Sequence, residues 1–304
     1  MDVYLPIANL AVDGLVIVLL GAATGILSGA FGVGGGFLTT PLLIFYGIPP
    51  TVSAASAATQ VTGASVSGVF AHSRNNGVDY QIGLVIVVGG MLGALMGAGL
   101  FNLLRSIGQI DTVINILYVL LLGTIGSLML KEALGSLGIL KAGGKTSAAK
   151  RRHHPWIAAL PYRWRFYRSG LYISPIAPLI LGLIVGVLTM LMGVGGGFIM
   201  VPAMLYILGM SAKVVVGTSL FNILFITMLV TMVHAFTTQA VDIVLAGLLL
   251  LGSVLGAQFG TRIAEFAKPE HLRLVLGMIV TGIALRMVWG LTIRPDEVYT
   301  VVPL

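Results

Sequence analysis

The sequence predicts an all-α polytopic membrane protein. Two homologous repeats are expected, each of about four transmembrane helices plus one short broken or half helix, the second inverted relative to the first. Three observations carry this: a composition too apolar for water, a series of uncharged stretches of membrane-spanning length, and a glycine motif that occurs twice in the same surroundings.

The chain is 57% hydrophobic and only 9% charged, with a mean hydropathy of +1.04. A soluble domain carries about one quarter charged residues, and lipid is the solvent that removes that need. The pI near 9.8 does not indicate a nucleic-acid groove. Nine of the 17 Lys and Arg lie between Lys131 and Arg168, with Glu132 the only acid among them. Residues 131–170 are therefore read as a basic cytoplasmic loop between a first membrane repeat, 1–130, and a second, 171–304. Without cysteine, disulfides, thiolate chemistry and Cys-based zinc sites are excluded. The N-terminus carries Asp2 and Asp13 and no base before its first apolar run, so it is expected to be retained rather than cleaved.

In chain order, the stretches of about 20 residues that a helix needs to span are Leu15–Ala30, Ser53–Ala71, Gln81–Leu104 and Val113–Leu130. After the basic loop come Leu171–Met192, Val214–His234, Ile243–Gly260 and Leu272–Leu291. Two shorter pieces, Phe37–Ile48 and Phe198–Met210, follow the first stretch of each half. The repeat is explicit. Gly32-Val33-Gly34-Gly35-Gly36-Phe37 with Pro41 recurs as Gly193-Val194-Gly195-Gly196-Gly197-Phe198 with Pro202, at a constant offset of 161. Gln60 and Asn222, His72 and His234, Asp79 and Asp242, and the triplets Gly89/Gly93/Gly97 and Gly252/Gly256/Gly260 follow at offsets of 162 and 163. Such duplication is common in transporters. If each short piece crosses, a half has five crossings and the repeats are inverted. That arrangement places 14 of the 17 basic residues on the side of the loop, against 12 for re-entrant pieces and parallel repeats.

The glycine motif is not a nucleotide fingerprint. Phe37 and Phe198 occupy the sixth place, where G-x-G-x-x-G needs glycine, and no Gly-Lys-Ser/Thr follows. Three glycines in a row cost a continuous helix about 1 kcal/mol each and make sense where a helix is meant to break. The helix that restarts offers unbonded backbone N–H groups and a positive dipole end, a site for an anion made from backbone. Irregular backbone at that depth must be shielded by protein or water, and a cavity is expected. Candidate substrate contacts are Gly34, Gly35, Gly36 and Thr39 in the first half and Gly195, Gly196 and Gly197 in the second. Ser56, Thr59, Gln60, Thr218, Ser219 and Asn222 add neutral hydroxyls and amides; Ser53, Ser56 and Gln60 share one helix face. His72, His234 and Arg286 are candidates for gating or proton linkage. Asp79 and Asp242 are read as helix caps, and the glycine triplets as helix-packing positions. The aromatic and arginine cluster from Trp156 to Arg168 suits a segment lying at the membrane interface. The adjacent His153 and His154 are poorly spaced for a metal, so neither metal nor cofactor is expected. An intramembrane enzyme would need a nucleophile with its base, or a metal cluster, inside the spans; none is present in the sequence.

The paired Gly-Val-Gly-Gly-Gly-Phe-x3-Pro motifs, each followed by a polar helix ending in His72 or His234, and the run Leu255-Gly256-Ala257-Gln258 resemble the sulfite exporter TauE/SafE family of membrane transporters over roughly residues 10–130 and 171–290. The resemblance implies export or uptake of a small sulfur-containing anion such as sulfite or an organosulfonate such as sulfoacetate. The expectation is then a permease of the cell inner (plasma) membrane that works by alternating access around the two glycine breaks. Its partners would be a small anion and the lipid bilayer, with no nucleic acid; self-association is left open. The alternative is a passive anion channel or facilitator.

Overall fold

The computed structural model describes residues 2–31, 36–74, 77–136, 162, 164–166, 168–266 and 269–292. Each half opens with a small antiparallel hairpin. β1 (Asp2–Leu5) pairs with β2 (Leu10–Asp13), and β3 (Trp164–Phe166) with β4 (Leu171–Ile173). The first half continues with α1 (Gly14–Phe31), α2 (Gly36–Phe45), α3 (Pro50–Arg74), α4 (Tyr80–Ser106) and α5 (Ile110–Ser136). The second continues with α6 (Ile176–Met192), α7 (Gly197–Pro202) running into a π-helical turn at Ala203–Ile207, and α8 (Ala212–Val233) with a second π turn at His234–Thr238. It closes with α9 (Ile243–Phe266) and α10 (Pro269–Thr292).

The hairpins differ from the expectation of helix alone. Residues 10–13 and 171–173 form strands rather than joining the helices that follow, and 171–173 alternate in burial. The turn residues Asn9 (φ 52°) and Gly170 (φ 65°) take the left-handed backbone that tight turns require. The basic stretch is likewise not one loop. Lys131–Ser136 completes α5, and 164–166 with 168–170 contribute to the second hairpin; residues 137–161, 163 and 167, with His153, His154 and Trp156, lie outside the described residues.

Among the described residues, five helices are long and apolar enough to cross a membrane: Tyr80–Ser106, Ile110–Gly135, Val214–Thr238, Ile243–Gly260 and Leu274–Thr292. The expected span Ser53–Ala71 lies in α3, whose 25 residues would reach about 37 Å but carry too many Ser, Thr and Gln to qualify by hydropathy. α3 packs against α2, α8 and α9, where Ser53, Ser56 and Gln60 are buried. Large apolar side chains instead face outward, among them Leu84, Leu95, Leu120, Ile184, Leu251 and Leu285, as a lipid-facing surface requires.

The halves interlock. α1 packs on α9 and α4 on α6, each pair running the same way, while α3 packs on α8 and α5 on α10 in opposite directions. In the parallel pairs, Gly21, Gly25 and Gly29 meet Leu249, Ser253 and Ala257 in step, and Gly89 and Gly93 meet Leu179 and Leu183. A methyl group on Gly93 or Gly256 would overlap the carbonyl oxygen of Leu183 or Ala22. The absent side chains let the backbones touch, which is how helices associate where lipid supplies no hydrophobic drive. In the antiparallel pairs, Thr59 and Thr62 meet Thr231 and Thr227, and Gly126 and Gly277 meet Thr281 and Leu130.

One cluster marks the end of the molecule that carries the first hairpin. Leu5, Ala8 and Val12 pack there with Ile17 at the start of α1, Leu43 and Ile48 around the end of α2, Val52 in α3 and Leu245 in α9. α1 therefore runs inward and α2 returns, the two forming a helical hairpin whose tip is the first glycine motif. The second β-hairpin sits at the opposite end, with Arg168 and Ser169 bonded to Val78 and Asp79 at the start of α4.

Candidate functional site

The tips of the two helical hairpins meet inside the bundle. The Phe37 and Phe198 rings, one residue into α2 and α7, stack with centroids 4.1 Å apart and planes 4° from parallel. At the second break Gly193, Gly195 and Gly196 have φ of 71°, 72° and 73°. That region is open to glycine and costly for other residues. Gly193 closes α6 by donating to the Thr189 carbonyl at 2.8 Å, and Gly196 precedes the first residue of α7. The first N–H groups of α2 and α7 have no acceptor within their own helices. Of the first motif, Gly34 and Gly35 lie outside the described residues; Gly36 starts α2 against the Gly193 and Val194 carbonyls.

Protein rather than water shields this backbone, and residues 191–198 are all buried. The packing is tight. Added side chains would overlap the Ala54 carbonyl at Gly193, Val61 at Gly195 and Val185 at Gly196. Val61 of α3 also touches Gly36, so one side chain wedges between both breaks. The expected cavity is closed at this break.

Hydroxyls hold the break in place, and they were not singled out from the sequence. Tyr118, fully buried on α5, donates to the Met192 carbonyl at 2.6 Å, and Thr40 of α2 donates to the same oxygen at 3.3 Å. Thr62 and Thr227 join α3 to α8 at 2.8 Å. A tyrosine or threonine in an apolar span gives no pattern from which such partners follow; only its polarity is a signal.

The candidate hydroxyls are largely committed to the fold. Ser56 Oγ accepts from the Asp242 N–H at 3.2 Å, and its counterpart Thr218 Oγ1 accepts from the Asp79 N–H at 2.9 Å. Thr59 donates to the Ala55 carbonyl and lies 3.4 Å from the Thr231 hydroxyl; Ser219 donates to the Val216 carbonyl. Thr39 is buried on α2 and makes a polar interaction of its own. Asp79 and Asp242 cap α4 and α9 as expected. Each Oδ1 accepts two backbone N–H groups of its own helix, and each Oδ2 accepts from the β-hairpin of the other half, Ser169 for Asp79 and Ile7 for Asp242.

The amides are different. Gln60 and Asn222 are 1% and 0% exposed, yet Gln60 Oε1 and both polar atoms of Asn222 have no hydrogen-bond partner. Such atoms cost about 1–3 kcal/mol each and call for an explanation in function. Each lies one helical turn beyond the residue that contacts the capping aspartate, Gln60 after Ser56 and Asn222 after Thr218. Asn222 faces α4, where a Cβ on Gly83 would lie 3.5 Å from its Oδ1. The next residues along, Val61 and Ile223, pack against Gly195, so both amides stand on helices that touch the break, at its level.

His234 is fully buried at the π turn. Its Nε2 is 3.0 Å from the Met190 carbonyl and its Nδ1 3.0 Å from Thr238 Oγ1, with Phe101 packed edge-on against the ring. Both nitrogens are engaged, tying α8 to the last turn of α6. His72 lies in α3, but its side chain is outside the described residues. Arg286 stands apart from the break, its guanidinium 5.7 Å from the Phe45 ring centroid.

This architecture, a double glycine break inside an interlocked bundle of apolar helices, has relatives. The family described as Sulfite exporter TauE/SafE matches residues 17–287, nearly the whole chain. The chain belongs to that family. Among TauE/SafE relatives, the "Probable membrane transporter protein YjnA" of Bacillus subtilis is 26% identical over 272 residues, covering 90% of this chain and 98% of that one. A "Probable membrane transporter protein" of Xylella fastidiosa (strain 9a5c) is 26% identical over 275 residues, 89% of this chain and 92% of its own. The "Probable membrane transporter protein MJ0441" of Methanocaldococcus jannaschii is 25% identical over 285 residues, 89% and 94% of the two chains. No solved structure matches. This TauE/SafE chain is a multi-pass membrane transporter, not an enzyme.

Proposed function

We propose that the transporter is a permease for a small anion, a sulfur oxyanion or organosulfonate such as sulfite or sulfoacetate, working by alternating access around the two glycine breaks. One observation carries the reading: two helix starts, whose first N–H groups have no acceptor within their own helices, meet at the centre, and the helices packed on them carry Gln60 and Asn222 with unpartnered polar atoms. Neutral donors suit an anion that must be released again, because no fixed cation holds it. The glycines Gly34, Gly35, Gly36, Gly195, Gly196 and Gly197 supply the backbone, and the amides orient the oxyanion along each half-path.

The mechanism has a geometric basis. Equivalent helices run antiparallel at α3/α8 and α5/α10, the arrangement of two copies related by an axis in the membrane plane. Each half donates α4 or α9 to the other half's first helix, so rocking one half opens one end and closes the other. With the basic segment cytoplasmic, the first hairpin lies on the outer face of the plasma membrane.

The test is flux in proteoliposomes, with sulfite, sulfoacetate, taurine, sulfate and chloride offered in turn. Saturable uptake of a sulfur anion, concentrated inside when a proton gradient is imposed, is the expected result. Uptake that never exceeds equilibration would instead make the protein a passive facilitator, and no uptake of any of the five would sink the reading.

A further inference from the structure

We propose a second anion-binding site, centred on Arg286, in a pocket at the end of the molecule that carries the first hairpin. The proposal rests on the transport reading above for its role, as the place where the anion is held on its way to or from the centre. The pocket has a volume of about 240 Å³ and lies between the end of α2 (Ile44, Phe45), Asn115 of α5 and Arg286, Met287 and Gly290 of α10.

Three features make this a built site. First, Arg286 sits six residues before the end of α10, about 9 Å along the helix, and its side chain is exposed, so a ligand can reach the charge. Among the described residues it forms no ion pair; its guanidinium lies over the face of Phe45, which steadies a cation without neutralising it. Asp111, one turn before Asn115 on α5, is bonded instead to the Thr51 backbone. Second, Asn115 Oδ1 is buried and has no hydrogen-bond partner. Rotation of the amide exchanges that acceptor for an N–H₂ donor, giving a neutral donor beside the cation. Third, a Cβ on Gly290 would lie 3.7 Å from Arg286 Nη1, so the guanidinium folds along the side of α10 that lines the pocket.

A planar fork of N–H donors beside an amide recognises a compact oxyanion, here a sulfo or phosphate group. Position adds a reason. α2 connects this pocket to Gly36 at the break, and its ten residues from Gly36 to Phe45 correspond to about 14 Å. An anion at Arg286 is therefore one short helix from the central site, on the face opposite the basic segment.

A free anion and a lipid headgroup share this chemistry, and the test separates them. Sulfite and inorganic phosphate are titrated by thermal shift against the full-length protein, in phosphatidylcholine nanodiscs with and without phosphatidylglycerol. The variants are Arg286→Gln, Asn115→Ala and Asn222→Ala, each first required to match the wild-type melting temperature without anion. We expect Arg286→Gln to raise the half-saturating concentration about tenfold, the size of one lost charge-assisted hydrogen bond, and Asn115→Ala to raise it less. If stabilisation comes from phosphatidylglycerol and disappears in Arg286→Gln, the same site holds a lipid headgroup. Should Arg286→Gln leave both the anion and the lipid responses unchanged, the proposal is overturned. Binding lost only in Asn222→Ala would overturn the pocket and leave the permease reading standing. Arg286-dependent binding in a protein with no flux would do the reverse.

Discussion

Replacing Asp79 by alanine removes four hydrogen bonds at once, and their geometry sets the cost. Oδ1 accepts from Gln81 N at 3.1 Å and Ile82 N at 3.4 Å; Oδ2 accepts from Ser169 N at 2.9 Å and Ser169 Oγ at 2.6 Å. Loss of an N-cap side chain costs about 1 kcal/mol. The Ser169 N–H and O–H, on a residue 5% exposed, would be left buried without an acceptor, at about 1–3 kcal/mol each before water relaxes in. The sum is roughly 3–7 kcal/mol. Asp242 accepts its own two helix N–H groups but only one, from Ile7 at 3.1 Å, across the halves. By the same reasoning Asp242→Ala costs about 2–4 kcal/mol. Asp79→Ala is therefore expected to exceed Asp242→Ala by about 1–3 kcal/mol, with Asp79→Asn between Asp79→Ala and wild type. Reversible unfolding in mixed micelles measures all three. A double-mutant cycle with Ser169→Ala isolates the contact across the halves and should return a coupling above about 1 kcal/mol. An Asp79→Ala cost under about 1 kcal/mol, or no coupling to Ser169, would refute the claim that this carboxylate latches the second hairpin to the first half.

Other expectations follow from the same contacts. Gly93→Leu and Gly256→Leu should each cost about 2 kcal/mol or more, because the added side chain meets a backbone carbonyl; normal unfolding midpoints would show those helix pairs can separate freely. Gly196→Val should abolish flux while the protein still inserts, through its positive φ and contact with Val185; normal flux would remove the break from the mechanism. Asn222→Ala and Gln60→Ala should change half-saturation for the transported anion, whereas a change in stability alone would assign them to packing. Because the chain has no cysteine, Ile7→Cys and Tyr162→Cys offer clean labelling positions. A membrane-impermeant maleimide should reach them from opposite faces of the membrane, and labelling of both from one face would refute the antiparallel arrangement of the halves.

Much was legible in one dimension. Solvent class and helix breaks depend on composition and spacing, and a glycine triplet inside an apolar run breaks a helix whatever surrounds it. The caps were legible for a similar reason: Asp79 and Asp242 act on N–H groups two and three residues away. The hairpins at both ends were not read, because four alternating residues beside a long apolar run are swamped by its hydropathy. The roles of Ser56 and Thr218 were not legible either, since the backbone N–H groups they accept from lie 186 and 139 residues along the chain.

What the sequence by itself determined is therefore local: where the chain enters lipid, where it breaks, and that it does so twice. Only the tertiary structure decided which of the polar residues stay uncommitted. It spends the hydroxyls of Ser56, Thr59, Thr218 and Ser219 on backbone groups and leaves Gln60 and Asn222 unpartnered. It sets Arg286 beside Asn115 from the other half. A hydrogen bond is satisfied by whatever lies within about 3 Å in space, and the crossing of the two halves, not the order of residues, determines which groups come that close.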